Sequence, residues 1–319
     1  MAFRDVVGHK RQLQILQKGI MMGRVYHAYL FSGMEGIGKR LVAQNMAKVL
    51  NCLTGEGDAC EQCSSCQRIA KGIHPDCMLI TPESEAIKIQ QIRELQRTIA
   101  FKPYEARWRV IVVDGAEQMT REAANAFLKT LEEPPSWTTI ILVATTVDDL
   151  PPTVYSRCQR IRFNPLHQDE VREILAHHLH EEEIQILVPL SGGSPGRALR
   201  MNRDDIERAR KALILAFSPS LRQRLHLAQE FAQREGKGSI FLEIIEGWIR
   251  DLIVYRETGE GERLLNRDCA EEIQRGASDL ESEGLLRDFW NLLLVHRGIE
   301  AHSNLQLSLE SALLRLGGS

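Results

Sequence analysis

Residues 29–44 read YLFSGMEGIGKRLVAQ. Gly33, Gly36, Gly38 and Lys39 carry the glycine and lysine spacing of a phosphate-binding loop, GxxxxGK followed by Ser or Thr. In such a loop the backbone N–H groups face the phosphates, and the following helix adds the positive end of its dipole. The lysine reaches the β and γ phosphates and the hydroxyl binds magnesium. Here Arg40 stands where the hydroxyl belongs. A second stretch, RVIVVDGAEQM, is an apolar run ending at Asp114, the position of a magnesium-directing aspartate. The glutamate that polarises an attacking water usually follows at once, but Gly115 is found. Glu117 lies two positions further on, where strand-end geometry is expected to point it elsewhere. A metal ligand and the general base are thus both missing, and a phosphate loop without hydrolysis is expected.

The other cluster with chemistry is NCLTGEGDACEQCSSC. Cys60, Cys63 and Cys66 are spaced CxxCxxC, and Cys52 precedes them by eight residues. Four thiolates close a tetrahedral zinc site with no open position for water, which is a structural role. Spacing alone also permits Cys77 as the fourth ligand, although CMLITP at 77–82 reads as a strand. Cys158 and Cys269 stand alone and read as small apolar fillers.

These residues need a frame. AYLFSG (28–33), CMLITP (77–82), RVIVVD (109–114), TIILVATT (139–146) and QRIRF (159–163) are nearly continuous apolar runs, suited to parallel strands buried on both faces. Helical patterns lie between them. RLVAQNMAKVLNC follows the glycine loop, and IQQIRELQRTIAF places Ile92, Leu95 and Ile99 on one face. TREAANAFLKTLEEPP begins at a capping Thr120 and stops at Pro134. Alternating strands and helices make a doubly wound α/β domain. After residue 164 the pattern is helical only, a small unit over about 165–202 and then long amphipathic helices. The 319 residues suffice for two or three domains. With 43% hydrophobic and 26% charged residues and a net charge of -3, the chain is an ordinary globular one, not coated with base for nucleic acid. The polar start MAFRDVVGHK and the lack of a long apolar run lead to the expectation of a cytoplasmic protein.

NAFLKTLEEPP (125–135), followed by IILVATT and SRCQRIRF (156–163), resembles the bacterial clamp-loader subunits of DNA polymerase III, which are AAA+ proteins. FRDVVGHKRQLQ resembles the segment that packs by adenine in that family, and GGSPGRAL (192–199) its sensor-2 segment, with Arg197 as the arginine. The resemblance is close over residues 1–205. It implies a P-loop AAA+ core over 1–164 with a zinc-binding insert at about 50–77, a helical lid over 165–204 and an all-α collar over 205–319. It favours Cys52 as the fourth zinc ligand. The family has motor subunits, gamma and tau, with complete phosphate loops, and a stator type, delta prime, with a degraded site. Arg40 and Gly115 break the motor pattern, so the chain is similar to the stator type. The retained Lys39 and Asp114 leave ATP or ADP binding without hydrolysis open. In the family the arginine of Ser-Arg-Cys, here Arg157, reaches a neighbour's γ-phosphate. An arginine supplied in trans is worth on the order of 10³–10⁵ in rate. The implied partners are the gamma/tau and delta subunits, the sliding clamp and primer-template DNA, within the DNA-directed DNA polymerase holoenzyme. The chain alone is expected to catalyse nothing. The alternative is a gamma/tau-like subunit that itself hydrolyses ATP.

Other residues have plainer readings. His167, His177, His178 and His180 read as a solvated helix face. Thr145 and Thr146 end a strand beside the loop, where the family has a polar sensor-1 residue. Trp290, Leu292, Leu293 and Leu294 read as core or as a helix contact, part of it facing a neighbour in the collar. Arg97, Lys102, Arg107 and Arg109 are candidates for DNA phosphate contacts.

Overall fold

A computed structural model describes all residues except 1, 56, 202, 217–220, 234–236, 301–303 and 317–319. The chain folds as two units, one of Met1–Ile174 with Gly193–Gly196, the other of Leu175–Gly192 with Arg197–Ser319.

In the first unit the elements run α1 (Lys10–Met21), β1 (Ala28–Ser32), α2 (Lys39–Asn51), α3 (Ser64–Ala70), β2 (Cys77–Ile80), α4 (Ile89–Ile99), β3 (Arg109–Asp114), α5 (Arg121–Glu132), β4 (Thr138–Ala144), α6 (Pro152–Tyr155), β5 (Gln159–Arg162) and α7 (Gln168–Leu175), whose last residue belongs to the second unit. The five strands form one parallel sheet in the order β2-β3-β4-β1-β5. All five apolar runs are therefore strands, each within two residues of its expected end. Side chains alternate across the pleat. Tyr29, Phe31, Val110, Val112, Ile141 and Val143 join one core with Leu16 of α1 and Val42 and Met46 of α2. Leu30, Ile111, Val113, Ile140 and Leu142 join the other, with Ile92 and Leu95 of α4 and Phe127 and Leu131 of α5. Burial on both faces is why the central strands β1, β3 and β4 are mostly apolar, whereas the edge strand β5 is largely exposed and three of its four residues are polar. The Thr120 hydroxyl accepts from the Ala123 N–H and caps α5 as its sequence position implies.

A buried ion pair anchors the far end of the sheet. Asp76, just before β2, accepts N–H bonds from Tyr104, Glu105 and Ala106 at 2.9–3.0 Å. Arg109, the first residue of β3, donates Nη2 to Asp76 at 3.3 Å and to the Lys102 carbonyl at 3.0 Å. Its Nη1 reaches the Phe101 carbonyl at 2.6 Å. Arg109 is only 3% exposed. It is therefore not a DNA-facing residue, contrary to the expectation from its type, because it is buried with its two Nη groups engaged by Asp76 and by the Phe101 and Lys102 carbonyls. Lys102, Arg107 and Arg97 are exposed.

The second unit is helical: α8 (Glu181–Leu190), α9 (Pro195–Arg200), whose first two residues belong to the first unit, α10 (Arg203–Ala216), α11 (Leu221–Ala232), α12 (Lys237–Thr258), α13 (Ala270–Asp279), α14 (Ser282–Glu300) and α15 (Leu305–Arg315). Asp251 on α12 is fully buried and accepts from the backbone N–H groups of Leu265 and Asn266 and from the Asn266 amide. Asn266 in turn accepts from Arg210 of α10 at 2.7 Å, so one chain of polar groups ties α10, α12 and the 264–268 turn together. The α14 stripe divides by helical phase. Leu292 is fully buried, whereas Leu286, Trp290 and Leu294, four residues apart, are each more than half exposed on one face. No helix among the described residues is long and apolar enough to cross a membrane.

Burial alone would raise the Asp76 carboxyl, but three N–H bonds and the Arg109 guanidinium hold it below its ordinary value. Asp76→Ala leaves Arg109 buried and unpaired, and should cost about 3–5 kcal/mol in urea unfolding at neutral pH. Because the folded value lies below the unfolded one, this stabilisation is complete above about pH 4 and fades as pH falls through the folded value. The gap between wild type and variant should shrink accordingly in an unfolding series taken into acid.

Candidate nucleotide site and cysteine cluster

The register of the sheet brings the ends of β1, β3 and β4 level. Ser32 pairs with Ala144, and Asp114 with Val143. The glycine loop leaves β1 at this edge, and Gly33, Gly36 and Gly38 all take positive φ, at 147°, 77° and 100°. Side chains resist those angles, which is why glycine stands there. Lys39 opens α2 and is 5% exposed. Its ammonium donates to the Gly33 carbonyl and, at 2.8 Å, to that of Met34. Burial lowers its pKa, against the opposing pull of the Glu117, Asp114 and Glu35 carboxylates.

Three peptides of the loop are held from outside. The Glu35 carbonyl accepts from the Ser194 hydroxyl at 2.6 Å, the Gly36 carbonyl from the Gly196 N–H at 2.9 Å, and the Ile37 carbonyl from His9 Nε2 at 2.7 Å. His9 is buried, and burial lowers its pKa despite the carbonyl bond and the nearby Glu170. The sequence motifs mark the segments around His9 and Gly196 but give neither residue a part in the loop.

Arg40 faces Asp114, Nη1 to Oδ2 at 3.5 Å, with its guanidinium about half exposed. Magnesium wants small oxygen donors in a near-octahedral set. A guanidinium has no lone pair to give and holds a fixed positive charge at that point. The donors present do not fit the ion. Glu117 departs from expectation. It turns into the site, where its carboxylate is the foremost charge acting on Lys39. Its Oε1 accepts both the N–H and the hydroxyl of Thr145, at 3.0 and 2.7 Å. A short 3-10 turn at Ala116–Gln118 redirects the chain after Gly115, which periodicity cannot foresee. Thr145 is thereby fixed beside the loop, while the Thr146 hydroxyl bonds Asp149.

Arg157 lies just past α6, its side chain one-third exposed. Nε and Nη2 both donate to Glu132 Oε1, at 2.9 and 2.5 Å, and Nη1 to the Thr153 carbonyl at 2.7 Å. Arg197 lies in the second unit, its Nε 2.7 Å from Glu243.

The sulfurs of Cys52, Cys60, Cys63 and Cys66 all lie within 4.8 Å of one another. The cluster can hold a metal ion, and Cys77, left open by spacing, is not one of its members. Backbone N–H groups point at the sulfurs: Gly55 and Cys60 at Cys52, Cys63 at Cys60, Cys66 at Cys63. A Thr54 side-chain hydrogen bond and the N–H groups of Cys63 and Gln62 lower Cys60 to about 6, so it favours the metal-binding thiolate. Lys48 of α2 reaches Glu61 at 3.0 Å, and Asp58 accepts from the Phe3 N–H at 2.9 Å, which ties the knob to the core. Burial lifts Cys158 to about 12 and Cys269 to about 11, leaving both as thiols.

Comparison with known proteins agrees with this geometry. A family model described as DNA polymerase III, delta subunit, matches residues 8–167, and its C-terminal counterpart matches 206–317. The chain belongs to the DNA polymerase III delta-subunit family. It is 28% identical to DNA polymerase III subunit delta' of Bacillus subtilis over 96% of this chain and 95% of that one. It is 33% identical to subunit tau of Escherichia coli over 89% of this chain and 43% of tau. It is 37% identical to subunit gamma of Buchnera aphidicola from Acyrthosiphon pisum over 57% of this chain and 50% of gamma. The chain thus spans about half the length of these gamma and tau relatives. The parallel α/β core that carries the glycine loop, with helices beyond it, matches the fold the sequence pattern led us to expect.

Gly196 tests the outer support of the loop. A Cβ there would lie 2.7 Å from Gly36 Cα and 2.9 Å from its carbonyl oxygen. Both are backbone atoms without a flexible way out. Gly196→Ala should lose about 1–3 kcal/mol in urea unfolding.

Proposed function

We propose that this chain is a delta prime-like stator of a bacterial DNA polymerase III clamp loader. Its own ATP site is degraded, and it completes the site of a neighbouring ATPase subunit with Arg157. The observation that carries the reading is the pair Arg40–Asp114, a protein cation on the aspartate that would otherwise direct magnesium. Arg157 supports the second half. Glu132 and the Thr153 carbonyl hold its guanidinium in one pose, still one-third exposed, and a planar fork suits phosphate oxygens. In this reading Gly33, Gly36, Gly38, Lys39 and Asp114 belong to a nucleotide site that has lost hydrolysis, Arg197 is the arginine of the sensor-2 segment, residues 165–204 are a lid, and 205–319 the collar. The exposed Leu286, Trp290 and Leu294 face of α14 is an apolar surface of the kind a neighbouring helix covers. The partners would be the gamma/tau and delta subunits, with the sliding clamp and primed DNA met through the complex.

A gamma/tau-like ATPase is the second reading, favoured by the position of Glu117 near Lys39. The two bonds from Thr145 already occupy one oxygen of that carboxylate. ATP turnover by the isolated chain above that of Lys39→Ala would decide for it. In a complex reconstituted with the motor and delta subunits, Arg157→Ala should lower DNA-stimulated ATPase by on the order of 10³. Arg157→Lys should not restore it, since an ammonium lacks the fork. Unchanged turnover in both variants would sink the finger.

The cysteine knob we read as a structural zinc site of Cys52, Cys60, Cys63 and Cys66, a closed set of four sulfurs with no place for a reacting water. Metal analysis of freshly reduced protein should find one zinc per chain. Cys63→Ser should lose it and lower the melting temperature, and strong chelators should lower that of the wild type.

A further inference from the structure

The Arg40–Asp114 pair bears on what the loop binds. We propose that Arg40 takes the place of magnesium, so that the loop binds a nucleoside diphosphate free of metal. The proposal deepens the degraded-site reading and rests on it only for the absence of hydrolysis.

The loop itself retains its binding form. In a trans peptide the carbonyl and the following N–H point in opposite directions. The carbonyls of Glu35, Gly36 and Ile37 are drawn outward by Ser194, Gly196 and His9. The N–H groups of Gly36, Ile37 and Gly38 must then turn the other way, into the hollow of the loop. Among the described residues no protein acceptor takes them. Three successive inward N–H groups above a helix start form an anion-binding concavity, and here the Ser194 and His9 side chains and the Gly196 N–H, all distant in sequence, lock it.

The cations match a metal-free ligand. Lys39 supplies one fixed charge at the base of the loop and Arg40 a second at its rim. Only Nη1 of Arg40 is engaged, by Asp114. Among the described residues Nε and Nη2 meet no protein acceptor, so one edge of the fork stays open for phosphate oxygens. Lysine plus arginine carry one positive charge fewer than lysine plus magnesium. A diphosphate carries one negative charge fewer than a triphosphate, and is the better match. A metal ion approaching Asp114 would meet the guanidinium first and be repelled by it.

The test is titration of the purified full chain with ADP. Buffers are cleared of metal by a chelating resin, because a soluble chelator would also attack the cysteine cluster. The wild type should bind ADP with the same affinity, within about twofold, with and without added magnesium. Arg40→Ser should bind about tenfold or more weakly without the metal and recover when magnesium is added. Lys39→Ala should bind in neither condition, and circular dichroism should show both variants folded. Three results would each overturn the proposal: a wild type that binds only with magnesium, an Arg40→Ser variant that binds equally well without it, or no binding of ADP at millimolar concentration. None of the three touches the role of Arg157, which is read in the partner's turnover. ATP hydrolysis by this chain bears on the stator reading instead.

Discussion

The register of the central strands is the constraint on which the site depends. Ser32 beside Ala144 and Asp114 beside Val143 fix the ends of β1, β3 and β4 at one level. The glycine loop, Asp114, the Glu117 turn and Thr145 all leave the sheet at that edge. Parallel strands can do this because every crossover returns the chain to the same starting end, so all carboxyl ends emerge together. The register is in turn set by two apolar faces. A slip of one residue would send Phe31, Val112 and Ile141 to the wrong core. The chemistry at the edge therefore rides on packing some distance below it.

That packing tolerates change at the edge. Arg40 and Gly115 alter what the site can do, but neither belongs to a core. Arg40 lies half in solvent, and Gly115 takes a φ of 77° that starts the short turn carrying Glu117. The loop meanwhile is structural as well as chemical. Lys39 satisfies two of its carbonyls, and His9, Ser194 and Gly196 satisfy three more. Buried backbone carbonyls need partners whether or not a nucleotide ever arrives. The lysine and the glycines thus serve the fold as well as any ligand, whereas Arg40 and Gly115 lie outside both cores.

Much of the frame was legible because the central strands of a parallel sheet, buried on both faces, leave a plain mark of apolar runs, while the exposed edge strand β5 shows only Ile161 among polar residues. The capping threonine of α5 and the four-cysteine cluster were equally local signals. What could not be read were partners distant in sequence. Glu117 looked misdirected because periodicity says nothing of a 3-10 turn after a positive-φ glycine. Arg109 looked like a DNA contact because its type is basic, and only the fold reveals Asp76, 33 residues earlier, beneath it. The tie between Ser194 and Glu35 spans 159 residues and leaves no trace in either segment. Trp290 and Leu292 read as one stripe, yet successive even positions on a helix diverge by about 200°, so one is buried and the other exposed.

The same logic bears on Arg157. It leaves the end of α6, a helix of four residues that cannot hold itself in place. Val154 of α6 is fully buried in the core that also holds Phe127 and Leu131 of α5, and Glu132 follows directly on Leu131. The guanidinium is thus oriented by a carboxylate whose helix packs on the same face of the sheet as its own. A residue meant to enter another molecule's site must be rigid without being buried. Two adjacent elements clamped on a sheet supply that, whereas a free loop would spend affinity on ordering itself. In the stator reading proposed above, the parallel sheet that carries the glycine loop is also the frame that aims Arg157.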